Sequence, residues 1–504
     1  HIAHTYPEVR TYVEEQGAKG KEMEWESPLM RNQQLADILL DETPWMLDAQ
    51  RQKANWQRLS SLFAEVEQER HRIVLLSALS VRQHEDGSFG WFPGMKGSLG
   101  MTLVVATLLA RLGKIKGELS TLEAEILDGA MAFLEKEMHK EVEQLRKAKN
   151  PVLSLAELRY LYIYIMYRKT LDDDARYMVS LLRRQADNLD REPRALAAIV
   201  LQSVGESKKA QALMPRIHEL LRHQDGLYLA YPAGNFVSID RKVETHVNLM
   251  EAVRTVEPKE TALLAGMTEW LIRQKRTLAW EHPVQSADAV YALMQSPFSS
   301  SEGRWEGRVA YDKQVRSLQL PESSADYVRE VVEPVTDAKE LHIVQQSTSP
   351  LKEEDEALLS WGAVYAQYQL PAAEAESHRE GMTVRREVGG RDELRAGDRV
   401  RVRYTITTDR DYEYVSLRAP RPAVAEPAQQ LSGYRWQNSL GYYQAMHDAS
   451  TEYFIDRLPQ GTYVIEEEWL MNGNGTYLLP SARLSSLYAP EFQSQTAGER
   501  IEVK

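Results

Sequence analysis

Across the first 297 residues, apolar positions recur at intervals of three and four, in long segments broken by short polar or glycine-bearing stretches. That period predicts amphipathic helices. LFAEVEQERHRIVLLSALSV (62–81) and MTLVVATLLARL (101–112) are two of them, the second closed by Gly113 and Gly117. TLEAEILDGAMAFLEKEMHKEVEQL (121–145) carries Ile126, Ala130, Phe133 and Leu134 at helical spacing. PVLSLAELRYLYIYIMYR (151–168) is apolar almost all round, which predicts an inner, buried helix. Further helices are expected over about 173–185, 193–204, 206–222, 243–254, 258–274 and 284–295. Within 1–50, QQLADILLDETPWMLDA has an apolar face through Leu35, Ile38 and Leu39, and Pro44 suits the first turn of the next helix. After about residue 298 the period shortens. RVAYDKQVRSLQL, ELHIVQQS and LLSWGAVYAQYQL read as strands, and PAAEAESHREG (371–381) reads as a linker. From 382 the chain is all-β through TVRREV, RVRVRYTITT, YEYVSLRAP, TEYFIDRL, GTYVIEEEWLM and TYLLPSARLSSLY, with NGNG at 472–475 as a hairpin turn.

The stretch DGSFGWFPG (86–94) interrupts two of the longest helices. Asp86-Gly87 is a turn signal, and Gly90 and Pro93-Gly94 keep the segment out of regular structure. Phe89 and Trp91 make it an aromatic corner that packs the end of a helical layer and is a candidate pocket lip. DGLYLAYP (225–232) repeats it: Asp225-Gly226 is followed by Tyr228 as Asp86-Gly87 is by Phe89, 139 residues earlier. A basic residue and a helix end come just before both corners, at Arg82-Gln83 and Arg222-His223. RQKRTLAW (273–280) is a fainter third copy that keeps Arg-Gln and Trp280. The interval corresponds to about three helical hairpins of roughly 46 residues, the period of a helical array. Each hairpin hides one face only against its neighbours, so the array stacks or closes on itself. With about ten to twelve helices, the expected fold is multidomain α+β: an N-terminal α/α toroid (1–297), a strand segment with linker (298–380), and a C-terminal β-sandwich (381–504).

Composition narrows the function. The 504 residues hold 61 basic and 74 acidic side chains, net −13, spread along the chain, which argues against a nucleic-acid footprint. There is no cysteine, so disulfides, thiolate metal sites and a cysteine nucleophile are excluded within these residues. That also removes the Asp/Cys/His zinc site of prenyltransferase-type toroids. No apolar run reaches the roughly 20 residues of a membrane span. The opening HIAHTYPEVR is neither a signal peptide nor a translation start, so the chain is expected to be a piece or processed product of a longer protein.

In order along nearly the whole length, the chain resembles the C-terminal part of the bacterial alpha-2-macroglobulin family. HIAHTYPEVR and LADILLDETPWMLDA resemble early helices of that family's thioester domain, and DGSFGWFPG its best-marked toroid corner. WGAVYAQYQ resembles the last strand of the split β-domain into which the toroid is inserted. DYEYVSLRAPRPAVAEP, SGYRWQ, GYYQAMHDASTEYFIDRLPQGTYVIEEEWL and LYAPEF resemble the final, receptor-binding-like sandwich. The resemblance implies a non-catalytic protease trap: a bait segment is cut and the molecule closes round the attacker. Many members also carry a Cys-x-Glu-Gln thioester; this chain has no such cysteine. Either the motif lies just upstream of residue 1 or the parent is of the thioester-free branch. The implied partners are proteases, met through the full-length parent, and upstream macroglobulin domains. The implied location is extracytoplasmic, periplasmic or cell-surface, with lipid anchoring through a preceding segment. In bacterial members, aromatic residues of the last domain shield the thioester, which makes Tyr477 an interface candidate.

Other candidate chemistry has simpler readings. Asp172, Asp173 and Asp174 resemble a cyclase acid cluster but suit a helix N-cap. His84, Glu85 and Asp86 suit an exposed turn, and HKEVE (139–143) has no HExxH pattern. His246 and His282 suit buried or capping histidines, and no G-x-S-x-G occurs. Asn474-Gly475-Thr476 is a glycosylation sequon that turn chemistry also explains. No cofactor or metal site is expected. Two alternatives stay open: an α/α-toroid polysaccharide lyase or hydrolase with a β-sandwich, and a surface binding module using the aromatic end of the toroid.

Overall fold

The computed structural model describes residues 65–168, 170–223, 227–229, 242–277, 283–295, 305–311, 314–319, 341–347, 371–390 and 393–504. The chain divides into two compact units, the second containing 361–504. The fold is α+β, with helices in the N-terminal part and antiparallel sheets in the C-terminal part.

Ten helices are described: α1 (Glu65–Arg82), α2 (Leu99–Lys116), α3 (Thr121–Lys147), α4 (Leu155–Tyr167), α5 (Asp173–Gln185), α6 (Arg191–Ser203), α7 (Ser207–Leu220), α8 (Lys242–Val256), α9 (Thr261–Thr277) and α10 (Pro283–Met294). Their starts are written locally. Ser120 and Ser154 each accept from the first turn while Glu123 and Glu157 bond back to the cap, two reciprocal boxes in S-T-L-E and S-L-A-E. Asp172 accepts from Ala175 N–H at 2.7 Å, so the three-aspartate run is the start of α5. Asp173 pairs with Arg176 and Asp174 with His139.

Among the described residues, α2 packs on α4, α4 on α6, α6 on α8, α8 on α10, and α10 back on α2. These five inner helices close a ring, and α3, α5 and α7 lie outside it against their inner neighbours. α4 is apolar all round because it is pressed on both sides: Leu158, Tyr160, Leu161, Tyr162, Ile163 and Tyr164 are all buried. Leu127, Ala130, Met131 and Leu134 of α3 are fully buried in the same helical core. Each such large side chain contributes roughly 1.5–3 kcal/mol of burial.

RVAYDKQVRSLQL and ELHIVQQS form β3 (Trp305–Tyr311), β4 (Gln314–Gln319) and β5 (Leu341–Ser347), an antiparallel sheet in the order β4-β3-β5, while β1 (Leu221–His223) and β2 (Leu227–Leu229) form a small ribbon. LLSWGAVYAQYQL and the helices expected within 1–50 lie outside the described residues.

The second unit is a sandwich. Its strands are β6 (His378–Arg379), β7 (Met382–Val388), β8 (Arg399–Thr408), β9 (Tyr412–Pro420), β10 (Ala425–Pro427), β11 (Gly433–Gln437), β12 (Leu440–Met446), β13 (Ser450–Leu458), β14 (Gly461–Met471), β15 (Gly475–Leu479), β16 (Arg483–Ser486), β17 (Gln493–Gln495) and β18 (Glu499–Val503). One sheet runs β10-β14-β8-β7 and the other β11-β12-β13-β9-β16-β17-β6, with β15-β18 as a separate ribbon. β8 shows the cause: Val400, Val402, Tyr404, Ile406 and Thr408 point inward, with mostly exposed residues between. They meet Tyr453, Ile455, Ile465 and Trp469 in one core.

Two sequence expectations change here. NGNG is not a hairpin turn: β14 pairs with β8 and β10, whereas β15 pairs with β18, so the four residues carry the chain between sheets. The tight hairpin is Asn438-Ser439 between β11 and β12, both at positive φ (49° and 65°) as a primed two-residue turn requires. The segment read as a linker is sewn onto the sandwich, since β6 pairs with β17 and Gly498 N–H donates to Ala375 O.

Candidate functional site

The first corner is a hydrogen-bonded knot at the end of α1. Gly87 takes φ +84°, and a Cβ there would stand 1.9 Å from Gly129 O of α3, so only glycine fits. Gln83 Nε2 donates to Gly87 O (3.0 Å) and to Ile126 O (2.9 Å), tying the turn to α3. Asp86 Oδ1 accepts from Ser88 N–H (3.0 Å) and from Ser88 Oγ (2.6 Å), which holds its carboxyl below the usual range. The Ser88 proton is thus committed to Asp86, and His84 Nδ1, 3.1 Å from Ser88 Oγ, is the donor there. Aspartate, serine and histidine are in contact, but the order is wrong for a nucleophile: serine bridges the other two, and Ser88 is fully buried. The two aromatics diverge. Phe89 is buried and its N–H donates to Thr102 Oγ1 (3.0 Å); Trp91 is 62% exposed, beside exposed Phe92 and Met95.

The second corner repeats the pairing. Gln83 and Phe89 form an antiparallel bridge; Arg222 and Tyr228, each 139 residues later, pair the same way in β1-β2. Asp225, Gly226 and Trp280 lie outside the described residues, as does His282.

Sequence reasoning missed the most concentrated chemistry, at the ring axis. Arg111 of α2 is buried and forks across three inner helices. Its Nη1 donates to Asp288 Oδ1 of α10 (2.6 Å), its Nη2 to Asn248 Oδ1 of α8 (2.7 Å), and its Nε to Tyr162 Oη of α4 (2.9 Å). Glu251 of α8 accepts from Lys114 Nζ (2.8 Å), Tyr291 Oη (2.8 Å) and Tyr162 Oη. Burial opposes the Arg111 charge, yet the surrounding carboxylates and phenols hold its pKa above the ordinary value. Burial likewise opposes the Glu251 charge, but Arg111 and Lys114 together hold its carboxyl below the usual range. Asp288, with less cationic support, is pushed up by burial. Beside this cluster Arg159 bridges Glu192 and Glu244. A cavity of about 30 Å³, room for about one water, lies against Arg111, Arg159 and Asp288. The arrangement is a mutually engaged ionic knot, with its acids and bases bonded to one another.

His246 is a core histidine. It is fully buried, its Nε2 is 2.9 Å from Met267 O, its ring lies 4.2 Å from that of Trp270, and burial pushes its pKa down to about 4. Among the described residues no group of three or more His, Asp or Glu could hold a metal ion, and no helix is long and apolar enough to cross a membrane.

With this geometry in place, comparison with known proteins is informative for the sandwich. A family described as the bacterial alpha-2-macroglobulin MG10 domain matches residues 368–491. The chain resembles the bacterial alpha-2-macroglobulins. No curated protein sequence matches it. Trypsin-activated Escherichia coli alpha-2-macroglobulin is 11% identical over 85% of this chain and 29% of its own, with a TM-score of 0.40. The elastase-activated E. coli protein is 13% identical over 85% of this chain and 38% of its own, at 0.37. Methylamine-reacted Salmonella alpha-2-macroglobulin is 13% identical over 85% and 27%, at 0.32. The chain thus spans less than two fifths of each of these relatives.

The MG10 match includes Tyr477. Its ring packs beside Gly473 and Gly475, its hydroxyl donates to Asn474 O at 2.9 Å, and its β15 backbone pairs with Ile501. The side chain is half-buried and folded onto its own turn.

Proposed function

We propose that this chain is the C-terminal part of a bacterial alpha-2-macroglobulin-like protease trap: an α/α toroid equivalent to the thioester domain, a strand segment, and a receptor-binding-like sandwich. It acts without catalysis of its own, in an extracytoplasmic setting, and meets proteases through the full-length parent and its upstream macroglobulin domains. The observation that carries this reading is the MG10 match at 368–491 in a chain whose preceding helices form a ring. The ionic knot fits it, because its carboxylates are engaged by Arg111 and Lys114 and the cavity beside Asp288 has room for about one water only. On this reading Asp86, Gly87, Phe89, Asp225, Gly226, Tyr228 and Trp280 shape ring corners, and Trp91 and Tyr477 are contact residues.

The test compares the full-length parent with this chain. Trypsin mixed with the parent is expected to lose turnover of casein while keeping turnover of a small chromogenic peptide; with the chain alone both rates stay unchanged. Polysaccharide cleavage by the purified chain, or equal loss of both trypsin rates with the parent, overturns the proposal.

A further inference from the structure

The sandwich carries an open groove of about 580 Å³ that the trap reading leaves unused. That volume lies within the range of small-ligand sites. One rim is the β11-β12 hairpin, on which Trp436 is 78% exposed. Leu431, which also lines the groove, is 77% exposed, and exposed apolar groups gathered in one place are informative where a single one is not. The ring is also held in place. Trp436 pairs with Gly441 across the hairpin, and a Cβ on Gly441 would lie 2.8 Å from the indole carbons. One part of the indole therefore rests on bare backbone, an aromatic laid over a strand glycine. The Asn438-Ser439 turn fixes the register that brings the two together.

Pro427, Leu431 and Met446 add apolar surface, and most of the remaining lining is planar and polar, with Gln429, Gln430, Gln437, Gln444, Arg435 and Glu466. Several of these groups are pre-oriented. Gln437 Oε1 accepts from Tyr442 Oη (3.1 Å) and Glu466 N–H (3.0 Å), and Arg435 Nη2 donates to Leu431 O (3.3 Å). Glu467, at the floor, accepts from Tyr404 Oη (3.0 Å), Trp469 Nε1 (2.9 Å) and Thr451 Oγ1 (2.7 Å). An apolar helix laid here would take the amides of Gln429 and Gln430 and the carboxylate of Glu468 out of water with nothing to offer them. A nucleic acid would face the carboxylates of 466–468. A ligand rich in neutral hydroxyls, with a flat face of C–H bonds, suits both halves: stacking on the indole and hydrogen bonds to amide, guanidinium and carboxylate edges.

We propose that this groove is a saccharide-binding site, with Trp436 as the stacking platform and the glutamine-rich wall reading the hydroxyls. It is independent of protease trapping. The test titrates the full chain with maltotetraose, cellotetraose and chitotetraose, following tryptophan fluorescence and heat. At least one is expected to bind saturably in the micromolar-to-millimolar range. Trp436→Ala is expected to weaken that binding about tenfold or more with unchanged melting temperature. Gly441→Ala, which keeps the tryptophan but lifts it from its seat, is expected to weaken it as well. Thr476→Ala, exposed on β15, is expected to leave it unchanged. Failure of all three sugars to bind, or binding indifferent to Trp436→Ala, overturns the proposal. Saturable binding of oxidised insulin B chain that Trp436→Ala abolishes, with no sugar bound, assigns the groove to an extended peptide instead.

Discussion

At the scale of single residues, the two corner aromatics separate packing from exposure. Phe89→Ala removes a buried ring from the helical core, so we expect a loss of about 3–5 kcal/mol in urea unfolding. Trp91→Ala, with most of its ring in water, is expected to stay within about 0.5 kcal/mol of wild type. Equal costs for the two would contradict the placement of Phe89 in the core. Glu452 of β13 gives a pH signature. It is buried, with Arg418 Nε 3.5 Å from one oxygen and no hydrogen bond to either; burial first, and only partly offset by Arg418, pushes its pKa up to about 7. The folded state therefore holds a proton that the unfolded chain releases from pH 4.5 upward. The associated stability is full below about pH 4.5 and lost as pH rises through 7, on the order of 3 kcal/mol in all. Glu452→Gln should flatten that pH dependence and raise the melting temperature at pH 8 but not at pH 4. A variant that tracks wild type across this range would show that Glu452 is not the titrating group.

At the scale of elements, four of the five inner helices meet at one guanidinium, Arg111, and Arg159 ties α4 to α6 and α8. Arg111→Leu leaves Glu251 and Asp288 short of their shared cation, and we expect a cost of about 3–5 kcal/mol by urea titration. Adding Glu251→Gln and Asp288→Asn should restore a good part of it, since neutral groups are cheaper to bury than unpaired charges. A single substitution costing under about 1 kcal/mol would mean that the knot contributes little. The sequence is uneven as a guide to these elements. Period revealed the helices, and Asp172 marked the start of one; Ser120 and Ser154 are equally local signals, since each cap acts within four residues of itself. The knot was hidden, because its partners stand 137 and 177 residues from Arg111. One signal was available: Arg111 falls eight residues after Leu103 and four after Thr107, on the buried stripe of α2, where an arginine needs a partner. In the sandwich, NGNG carries a turn signature without forming a hairpin, while Asn438-Ser439 forms one with little signature, since serine at positive φ is not a turn signal of its own.

At the scale of the molecule, two separate cores, one helical and one in the sandwich, support two folding units. Expressed alone, residues 368–504 are expected to give a single cooperative thermal transition with β-type circular dichroism; a broad, non-cooperative melt would show that the sandwich depends on the rest of the chain. The shared register of the two corners, Gln83 with Phe89 and Arg222 with Tyr228, marks the ring as a multiplied unit. Closure of α10 onto α2 then bears on how such a ring can change in evolution. An open solenoid gains or drops a repeat at either end and keeps its neighbours' contacts. A closed ring has no end at which to do so. Its unit number is quantised: excising one inner and one outer helix opens the circle, parts the groups that Arg111 holds together, and uncovers apolar faces on both sides of the gap. Substitutions that keep each helix in its place are compatible with that constraint, whereas a change in helix count is not.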